Sequence, residues 1–289
     1  MFLSWHGFSP KKKSNLKAPR IKATKEISIV IPVKNNQKGI DLFFETFFRT
    51  IRPESSPLEI LFVSNQGFRL HVPEEYLNHR VDIKVLQCNK TGPAGARNLG
   101  WRSAKGDWIL FTDSDCIPTS TWLEGYIDAC NRSIGYAGYV SSLNHDVVSR
   151  YYESQGILVP SGHVQEDAQC PDYLITANAL VWKRALVEIG GFNERIRIAA
   201  GEDIDLGFRL REIGDLSFAP KSMVYHNFDD GLVGFIKRFK RYGKGNRFLS
   251  QIYPANMRPR VFKPREKTLT NFLLAYMQYL SLLWGYHLG

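Results

Sequence analysis

In the first ~130 residues, short strand-like runs alternate with helix-like segments. This alternation is the strongest constraint on how the chain can fold. Such short runs, rich in β-branched and aromatic residues, are typical of strands inside a sheet. The runs are Ile27–Val33, Leu58–Val63, Val81–Leu86 and Trp108–Thr112. Helical spacing of apolar residues separates them over Gly39–Ile51 and Gly92–Ser103. This alternation predicts βαβ units and a mainly parallel sheet, with the ligand-binding loops along one edge.

The second half of the chain has a less regular pattern. The predicted strands are 135–142 and 173–182, and the predicted helices are Lys183–Ile189, Ile204–Ile213 and a basic amphipathic helix over Gly231–Phe248. A loop-rich insertion over 143–172 separates the two strands. A chain of 289 residues can bury one substantial core, or one core domain with a modest appendage.

Two carboxylates follow the fourth predicted strand directly, in Asp113-Ser114-Asp115. Like charges this close together repel each other unless a cation neutralises them. Mg²⁺ and Mn²⁺ suit oxygen ligands and can bridge a carboxylate to a diphosphate. The sequence therefore predicts a metal site at the sheet edge; the alternative is a turn that caps a helix starting near Thr119.

A second acidic pair, Glu202-Asp203, follows Gly201 and precedes a helical pattern. Acids at a helix N-terminus are ordinary capping and dipole chemistry. The functional alternative is a carboxylate that acts as general base on an acceptor hydroxyl or amine. His226 ends a short strand-like run and is a metal ligand only if the fold brings it beside Asp115.

The basic residues behind the formal net charge of +10 are not spread evenly along the chain, and two blocks of them contain no acid. Seven Lys or Arg residues lie between Lys11 and Lys25, in a segment without apolar periodicity that we expect to be a flexible arm. Six more lie between Lys237 and Arg247 without an acid among them. Such blocks predict attraction to phosphate on a nucleotide, a nucleic acid or a lipid surface; the alternative is a solvated tail and a solvated helix face.

The cysteines and the C-terminal segment indicate in which cellular compartment the protein is expected. Cys88, Cys116, Cys130 and Cys170 form no CxxC pair, which predicts free buried thiols in a reducing compartment. Met1–Pro10 lacks the pattern of a signal peptide. Polar residues interrupt the apolar segment Leu269–Leu288, so an interfacial or packed helix fits better than a span. We therefore expect a cytoplasmic protein with peripheral contact at the inner face of the membrane.

Taken in order, these pieces resemble the family 2 glycosyltransferases with a GT-A-type fold, over about Ile27 to Arg247. The matching pieces are Ser28–Pro32, Gly92–Gly100 with Ala96-Arg97-Asn98, Asp113–Asp115, Gly190–Glu194, Gly201–Leu206 and Val224–His226. The resemblance implies an α/β fold: a Rossmann-like, mainly parallel sheet flanked by helices, with a smaller mixed region on the acceptor side. It also implies an inverting hexosyltransferase that moves one sugar from a nucleotide diphosphate donor.

The resemblance divides the chain into three parts. Residues 1–25 are the basic flexible arm, and residues 251–289 are an apolar and aromatic helical extension. The catalytic domain spans 26–250, with a nucleotide-binding half over about 26–130 and an acceptor half over about 131–250.

On the donor side, the resemblance assigns Pro32, Val33 and Asn35 to the nucleotide, and Arg97 and Asn98 to holding the donor. Asp113 would lie near the ribose, with Ser114 beside it. Asp115 would coordinate Mn²⁺ or Mg²⁺ at the diphosphate.

His226 matches the position of a further metal ligand in some relatives. Asp203 matches the catalytic base, and Glu202 would shape the acceptor site. The basic helix could add Arg238 and Arg241 against the diphosphate, because Lys237, Lys240, Arg241 and Lys244 share one face.

Two departures from the family pattern bear on specificity. Where many relatives have an acid that contacts uracil, the stretch Phe62–Gly67 has none; Asn65 could still hydrogen-bond to the base edge, and a UDP-sugar stays favoured. A Q-x-x-R-W element is missing, which favours single addition over processive synthesis.

Three other classes compete with this interpretation. A nucleotidyltransferase would need a glycine- and lysine-rich loop, which Pro32–Asn36 does not supply. A non-catalytic relative would bind a nucleotide or a glycan through the same residues. No nucleic-acid module is recognisable, and no nucleic-acid partner is expected.

The acceptor can be a glycan, a lipid-linked glycan or a polypeptide, recognised by variable loops over 143–172 and by the C-terminal segment. The candidates in the insertion are Tyr151, Tyr152, His163, Glu166 and Asp167. The two tyrosines are expected in a small core rather than against a sugar.

Overall fold

The computed structural model describes residues 11–65, 67–77, 80–158, 170–228, 231–254 and 256–289. Within these ranges the strands are β1 (Ile27–Val33), β2 (Glu59–Asn65), β3 (Asp82–Cys88), β4 (Trp108–Thr112), β5 (Cys116–Pro118), β6 (Gly135–Ser142), β7 (Asn178–Trp182) and β8 (Leu216–His226). The α-helices are α1 (Gln37–Thr50), α2 (Glu74–Leu77), α3 (Pro93–Ser103), α4 (Trp122–Asp128), α5 (Val147–Gln155), α6 (Lys183–Ile189), α7 (Glu202–Ile213), α8 (Gly231–Ile252) and α9 (Leu269–Leu288).

All eight of these strands form one sheet, in the order β3-β2-β1-β4-β7-β6-β8-β5. β1 pairs in parallel with β2 and β4, and β2 pairs in parallel with β3. This half confirms the predicted βαβ units. The other half is mixed, because β7 is antiparallel to β4 and β6, and β5 is antiparallel to β8. The α/β architecture with a smaller mixed region is confirmed.

Burial explains why the sheet forms around β1, β2 and β4. Every residue of β2 and β4 is buried, and so is every residue of β1 except Pro32, which is half-buried. Helix α1 covers one face of the sheet; its Phe44 ring lies 5.0 Å from the Phe62 ring of β2. Asn36 caps this helix by accepting the Gly39 N–H at 3.1 Å.

The basic N-terminal segment differs from the predicted flexible arm from Lys11 onward. The Leu16 N–H donates to the Ile213 carbonyl at 2.7 Å, and Ala18 is completely buried. Lys12 and Lys17 both pair with Asp215. The segment is therefore fixed along the end of α7, because acids there neutralise part of its charge. Residues 1–10 lie outside the described residues.

A second apolar cluster joins the insertion to the C-terminal helices. The rings of Tyr152 and Phe235 stack at 5.7 Å, and Tyr151 and Phe239 are fully buried beside them. The two tyrosines therefore pack in a core, as expected, but they share it with α8 and α9. The other insertion candidates, His163, Glu166 and Asp167, lie outside the described residues.

The four cysteines are free, but they differ in burial. Cys88 and Cys116 are buried, whereas Cys130 is partly exposed and Cys170 is exposed. The expectation of buried thiols is wrong for Cys170, because it lies at the edge of the insertion rather than in the sheet. In the part of the chain described, no helix is long and apolar enough to cross a membrane.

Candidate active site

A cavity of about 750 Å³ lies where the carboxyl ends of the central strands meet the loop before α7 and one side of α8. Nearly all the residues assigned to a site from sequence line it. From the strand ends and α3 come Pro32, Val33, Asn35, Asn65, Arg97 and Asp113–Asp115. From the other side come Glu202, Asp203, His226, Arg238 and Arg241.

The buried Arg97 guanidinium joins the two halves of this cavity. Its Nη2 donates to Asp113 Oδ1 at 2.8 Å, and its Nη1 donates to Glu202 Oε1 at 2.9 Å. Burial opposes its charge, but the attraction of Asp113 and Glu202 prevails and raises the pKa of Arg97. The guanidinium therefore stays charged and fixes the end of β4 against the start of α7.

Asp203 is the acid at the start of α7 that faces the cavity. It is partly exposed, and its Oδ1 accepts the N–H of the adjacent Ile204 at 2.9 Å. Burial, reinforced by the negative charge of Glu202, raises the pKa of Asp203 to about 7. A carboxylate with such a pKa can take a proton near neutral pH.

Asp115 and His226 come together although they lie far apart in sequence. β5 pairs with β8 so that Cys116 lies opposite His226, and His226 Nε2 lies 3.5 Å from Asp115 Oδ2. His226 Nδ1 lies 3.0 Å from the Asn227 carbonyl oxygen. Since a carbonyl only accepts, Nδ1 must donate; in the neutral imidazole, Nε2 would then carry the lone pair on the side of Asp115.

This pair of donor atoms fits a divalent cation such as Mn²⁺ or Mg²⁺. The Cys116 sulfur belongs to the same cluster, whose candidate ligand atoms all lie within 4.8 Å of one another. Burial raises the pKa of the Cys116 thiol, so it stays protonated and is a poor ligand. The alternative interpretation of this turn as a helix cap is wrong, because α4 begins only at Trp122, after Thr121.

Asparagines line the cavity where β1 and β2 end. Asn36 Nδ2 donates to the Ser114 hydroxyl at 3.0 Å and fixes that turn. Asn35 adopts a left-handed backbone with φ of 49°, an uncommon conformation that is often found at functional sites. Asn65 Nδ2 donates to the Gly92 carbonyl at 3.1 Å, while its buried Oδ1 has no partner among the described residues.

The basic helix α8 contributes two of its cations to the cavity. Arg238 lies over the Phe228 ring at 5.0 Å, and Arg241 lies over the Tyr242 ring at 5.8 Å. The Arg241 Nε is buried and has no hydrogen-bond partner in the part of the chain described. Lys240 turns away instead; its Nζ lies 3.5 Å from the centre of the Trp284 ring on α9.

The Asn98 side chain, which was expected to help hold the donor, is buried and is not among the residues that line the cavity. Its Nδ2 donates to the Phe192 carbonyl and to Glu194, both at 2.9 Å. Its Oδ1 accepts from the Trp101 indole at 2.8 Å and from the Phe192 N–H at 2.9 Å. Both amide atoms are thus used to hold Phe192 and Glu194 against α3.

Sequence reasoning missed two lining segments. Residues 173–177 were predicted as strand, and residues 197–200 carried no motif, yet both line the cavity. The run Tyr173-Leu174-Ile175 has the apolar pattern of a strand because all three side chains are buried, with Tyr173 packed against Gly207 of α7. Arg197 belongs to no recognisable sequence motif, so its position in the cavity lining could not be predicted from the sequence.

Comparisons with known proteins agree with this geometry. The family model described as glycosyl transferase family 2 matches residues 28–155, and that described as glycosyl transferase family group 2 matches residues 108–288. The pre-mycofactocin glycosyltransferase of Mycobacterium tuberculosis is 27% identical over 246 residues, which are 82% of this chain and 50% of that protein. The chain thus spans about half the length of this curated relative.

Solved structures show the same fold. The mannosyltransferase PcManGT from Pyrobaculum calidifontis, in complex with GDP-Man and Mn²⁺, matches with a TM-score of 0.57 at 14% identity, over 96% of this chain and 76% of its own. TarS 1–349 of S. aureus, in complex with UDP-GlcNAc, matches with a TM-score of 0.55 at 18% identity, over 80% of this chain and 67% of its own. The GT-A architecture expected from the sequence is confirmed.

Proposed function

This chain belongs to the family 2 glycosyltransferases, and from that premise we propose that it transfers a single sugar from a nucleotide diphosphate sugar to an acceptor. A UDP-sugar is the favoured donor. The transfer inverts the anomeric carbon and depends on Mn²⁺ or Mg²⁺. The acceptor is a glycan, a lipid-linked glycan or a polypeptide.

One observation supports the proposal most directly. The same cavity contains two side chains that can bind a metal ion, Asp115 and His226, and a carboxylate with a raised pKa, Asp203. Asp115 and His226 converge to 3.5 Å on one side, and Asp203 faces the same cavity from α7. A divalent cation held by the pair would offset the charge that grows on the leaving diphosphate. Arg97 connects the two sides and keeps their geometry fixed.

The proposed reaction is one displacement with Asp203 as the base. Asp203 takes the proton of the acceptor hydroxyl or amine as that atom forms its bond to the anomeric carbon. The bond from the anomeric carbon to the diphosphate oxygen breaks, and the electron pair leaves with the nucleoside diphosphate. Attack on the side opposite to the leaving group inverts the anomeric carbon. Holding the base and the donor in fixed positions brings the reacting groups together and so accelerates the reaction.

Two groups support the assignment of the donor end. The buried Asn65 Oδ1 can accept the imide N–H of uracil, thymine or guanine. The buried Arg241 Nε can donate to a phosphate oxygen, where a charge-assisted hydrogen bond is strong. The UDP preference within this set rests on the resemblance to the family.

The test is calorimetric titration of UDP-, GDP- and dTDP-sugars with and without Mn²⁺, followed by an assay of nucleotide release. We expect metal-dependent binding of one donor. We expect Asp203→Asn to bind that donor as the wild type does but to lose transfer, and Asp115→Ala to lose the metal-dependent part of binding.

Two outcomes would contradict the proposal. Loss of donor affinity in Asp203→Asn would place this residue on the donor side. Donor binding without nucleotide release, over a panel of glycan, lipid-linked and peptide acceptors, would favour a non-catalytic relative.

A further inference from the structure

The outward face of α9 is apolar except at its two ends, where Thr270 and His287 are exposed. Seven large side chains on it are between 44% and 79% exposed: Leu269, Phe272, Leu273, Tyr276, Leu280, Trp284 and Leu288. Their spacing follows one stripe of the helix, and α9 contains no Asp, Glu, Lys or Arg. Contiguous apolar surface of this kind marks an interaction site.

The opposite face of α9 packs against the protein and carries three buried polar residues, Asn271, Gln278 and Ser281. Gln278 is buried and accepts a hydrogen bond from the Tyr151 hydroxyl at 2.8 Å. α8 and α9 cross at Gly243 and Gly285, where a Cβ on either glycine would overlap backbone of the other helix. The helix therefore cannot rotate its apolar stripe into the core.

The charge next to this stripe is strongly positive. Residues 231–289 contain eleven Lys and Arg residues and one acid, Glu266, so they account for the whole net charge of +10. The first 230 residues carry equal numbers of acidic and basic residues. Arg258, Arg260, Lys263 and Lys267 are exposed just before α9. At the other end, Lys240 lies against Trp284.

We propose that α9 binds the surface of an anionic lipid bilayer, with the helix lying in the plane of that surface. An apolar stripe bordered by basic residues matches both parts of such a surface, the acyl boundary and the negative headgroups. A second copy of the chain is a poorer match, because two segments of +10 would face each other. The proposal does not depend on the sugar-transfer activity.

Membrane binding would also orient the cavity. α8 contributes Arg238 and Arg241 to the cavity and contacts α9 through Gly243 and Lys240. The cavity would then lie about one helix diameter, ~10 Å, from the headgroups.

The test measures binding of the full chain to vesicles by co-sedimentation, with phosphatidylcholine alone and with phosphatidylcholine containing phosphatidylglycerol. We expect binding to the anionic vesicles that weakens as salt rises. The double variant Leu273→Asp/Leu280→Asp should bind at least ~10-fold more weakly, because two apolar contacts are lost and two like charges are introduced. The matched control is Leu77→Asp/Val187→Asp, which changes exposed residues on α2 and α6 and should bind as the wild type does.

Trp284 fluorescence gives a second measurement of binding that does not require a charged substitution. Trp284 is 48% exposed on the stripe, so its fluorescence should shift to the blue on anionic vesicles and be quenched by brominated lipid. Trp284→Phe should remove that part of the signal.

Equal binding of the wild type to neutral and anionic vesicles, or full binding by the Leu273→Asp/Leu280→Asp variant, would overturn the proposal. So would a dimer in solution that this variant dissociates, since a second copy would then cover the stripe. Donor titration without vesicles separates this proposal from the enzymatic one, because the α9 variant should bind the nucleotide sugar as the wild type does.

Discussion

Asp203 faces the cavity, and its environment leads to a prediction about pH. Burial and the charge of Glu202 raise its pKa to about 7, and a base acts only when ionised. We therefore expect kcat/KM for sugar transfer to rise as the pH increases from 6 to 8. An ordinary aspartate would be ionised throughout this range and would give a flat profile.

The pH profile of Asp203→Asn provides the control. Loss of a general base lowers the rate by ~10²–10⁴-fold, and the residual rate should not rise around pH 7. A step near pH 7 that persists in this variant would assign the titration to another group.

Asn65 leads to a second prediction about a single residue. Its buried Oδ1 has no partner among the described residues, and it borders the nucleotide end of the cavity. Asn65→Ala should weaken donor binding by about tenfold, the effect of one lost hydrogen bond of ~1–1.5 kcal/mol. Titration with the preferred donor checks this value, and the dependence on Mn²⁺ should persist. Unchanged affinity would exclude contact between Asn65 and the base.

At the scale of elements, Arg97 connects α3 to the end of β4 and to α7. Removing one member of a buried ion pair leaves an uncompensated charge, which costs about 3–5 kcal/mol. Arg97→Met leaves both Asp113 and Glu202 without their partner. We expect its melting temperature to fall by about 10 °C.

The matched control is Arg102→Met on the same helix. The Arg102 side chain is 49% exposed and lies 3.7 Å from Glu194, and exposed pairs of this kind contribute little. Melting temperatures are measured by calorimetry. If Arg97→Met melted at the same temperature as the wild type, the proposed structural role of Arg97 would be wrong.

The elements also show what could be predicted from the sequence. β1 and β4 begin and end where the patterns placed them, because a short run rich in β-branched and aromatic residues marks each of them. The interrupted apolar segment Leu269–Leu288 forms one helix, α9. β7 begins at Asn178 rather than at residue 173, because buried residues outside a strand can show the same apolar pattern as a strand. The order of the strands in the second half of the sheet depends on how β6, β7 and β8 pair with one another. Such pairing between distant segments cannot be predicted from local sequence patterns.

The candidate site was largely predictable, since acids and histidine at the ends of strands lie at one edge of the sheet. Asn98, which the resemblance assigned to holding the donor, does not line the cavity. Its residue type does not distinguish an amide that binds a ligand from one that holds Phe192 and Glu194. The N-terminal block was predicted to be flexible because it lacks apolar periodicity. Its partner acid, Asp215, lies about 200 residues away in the sequence, so no local pattern could reveal the contact.

At the scale of the whole molecule, the proposed metal site joins segments that are distant in the chain. A ligand that binds only the folded state stabilises it by ~2.7 kcal/mol at a concentration 100 times its Kd. The preferred donor together with Mn²⁺ should therefore raise the melting temperature by about 5 °C, and EDTA should reverse most of that rise. Neither Mn²⁺ nor the donor alone should produce the full shift, since each supplies only part of the contacts.

Asp115→Ala tests whether this coupling passes through the predicted ligand. Losing the carboxylate leaves His226 without its neighbour at 3.5 Å, so the Mn²⁺-dependent part of the shift should disappear. Asp128→Ala is the control, because Asp128 is an exposed acid on α4 that pairs with Lys221. It should retain the full shift. If Asp115→Ala also retained the full Mn²⁺-dependent shift, the metal would bind elsewhere, and the assignment of Asp115 and His226 would be wrong.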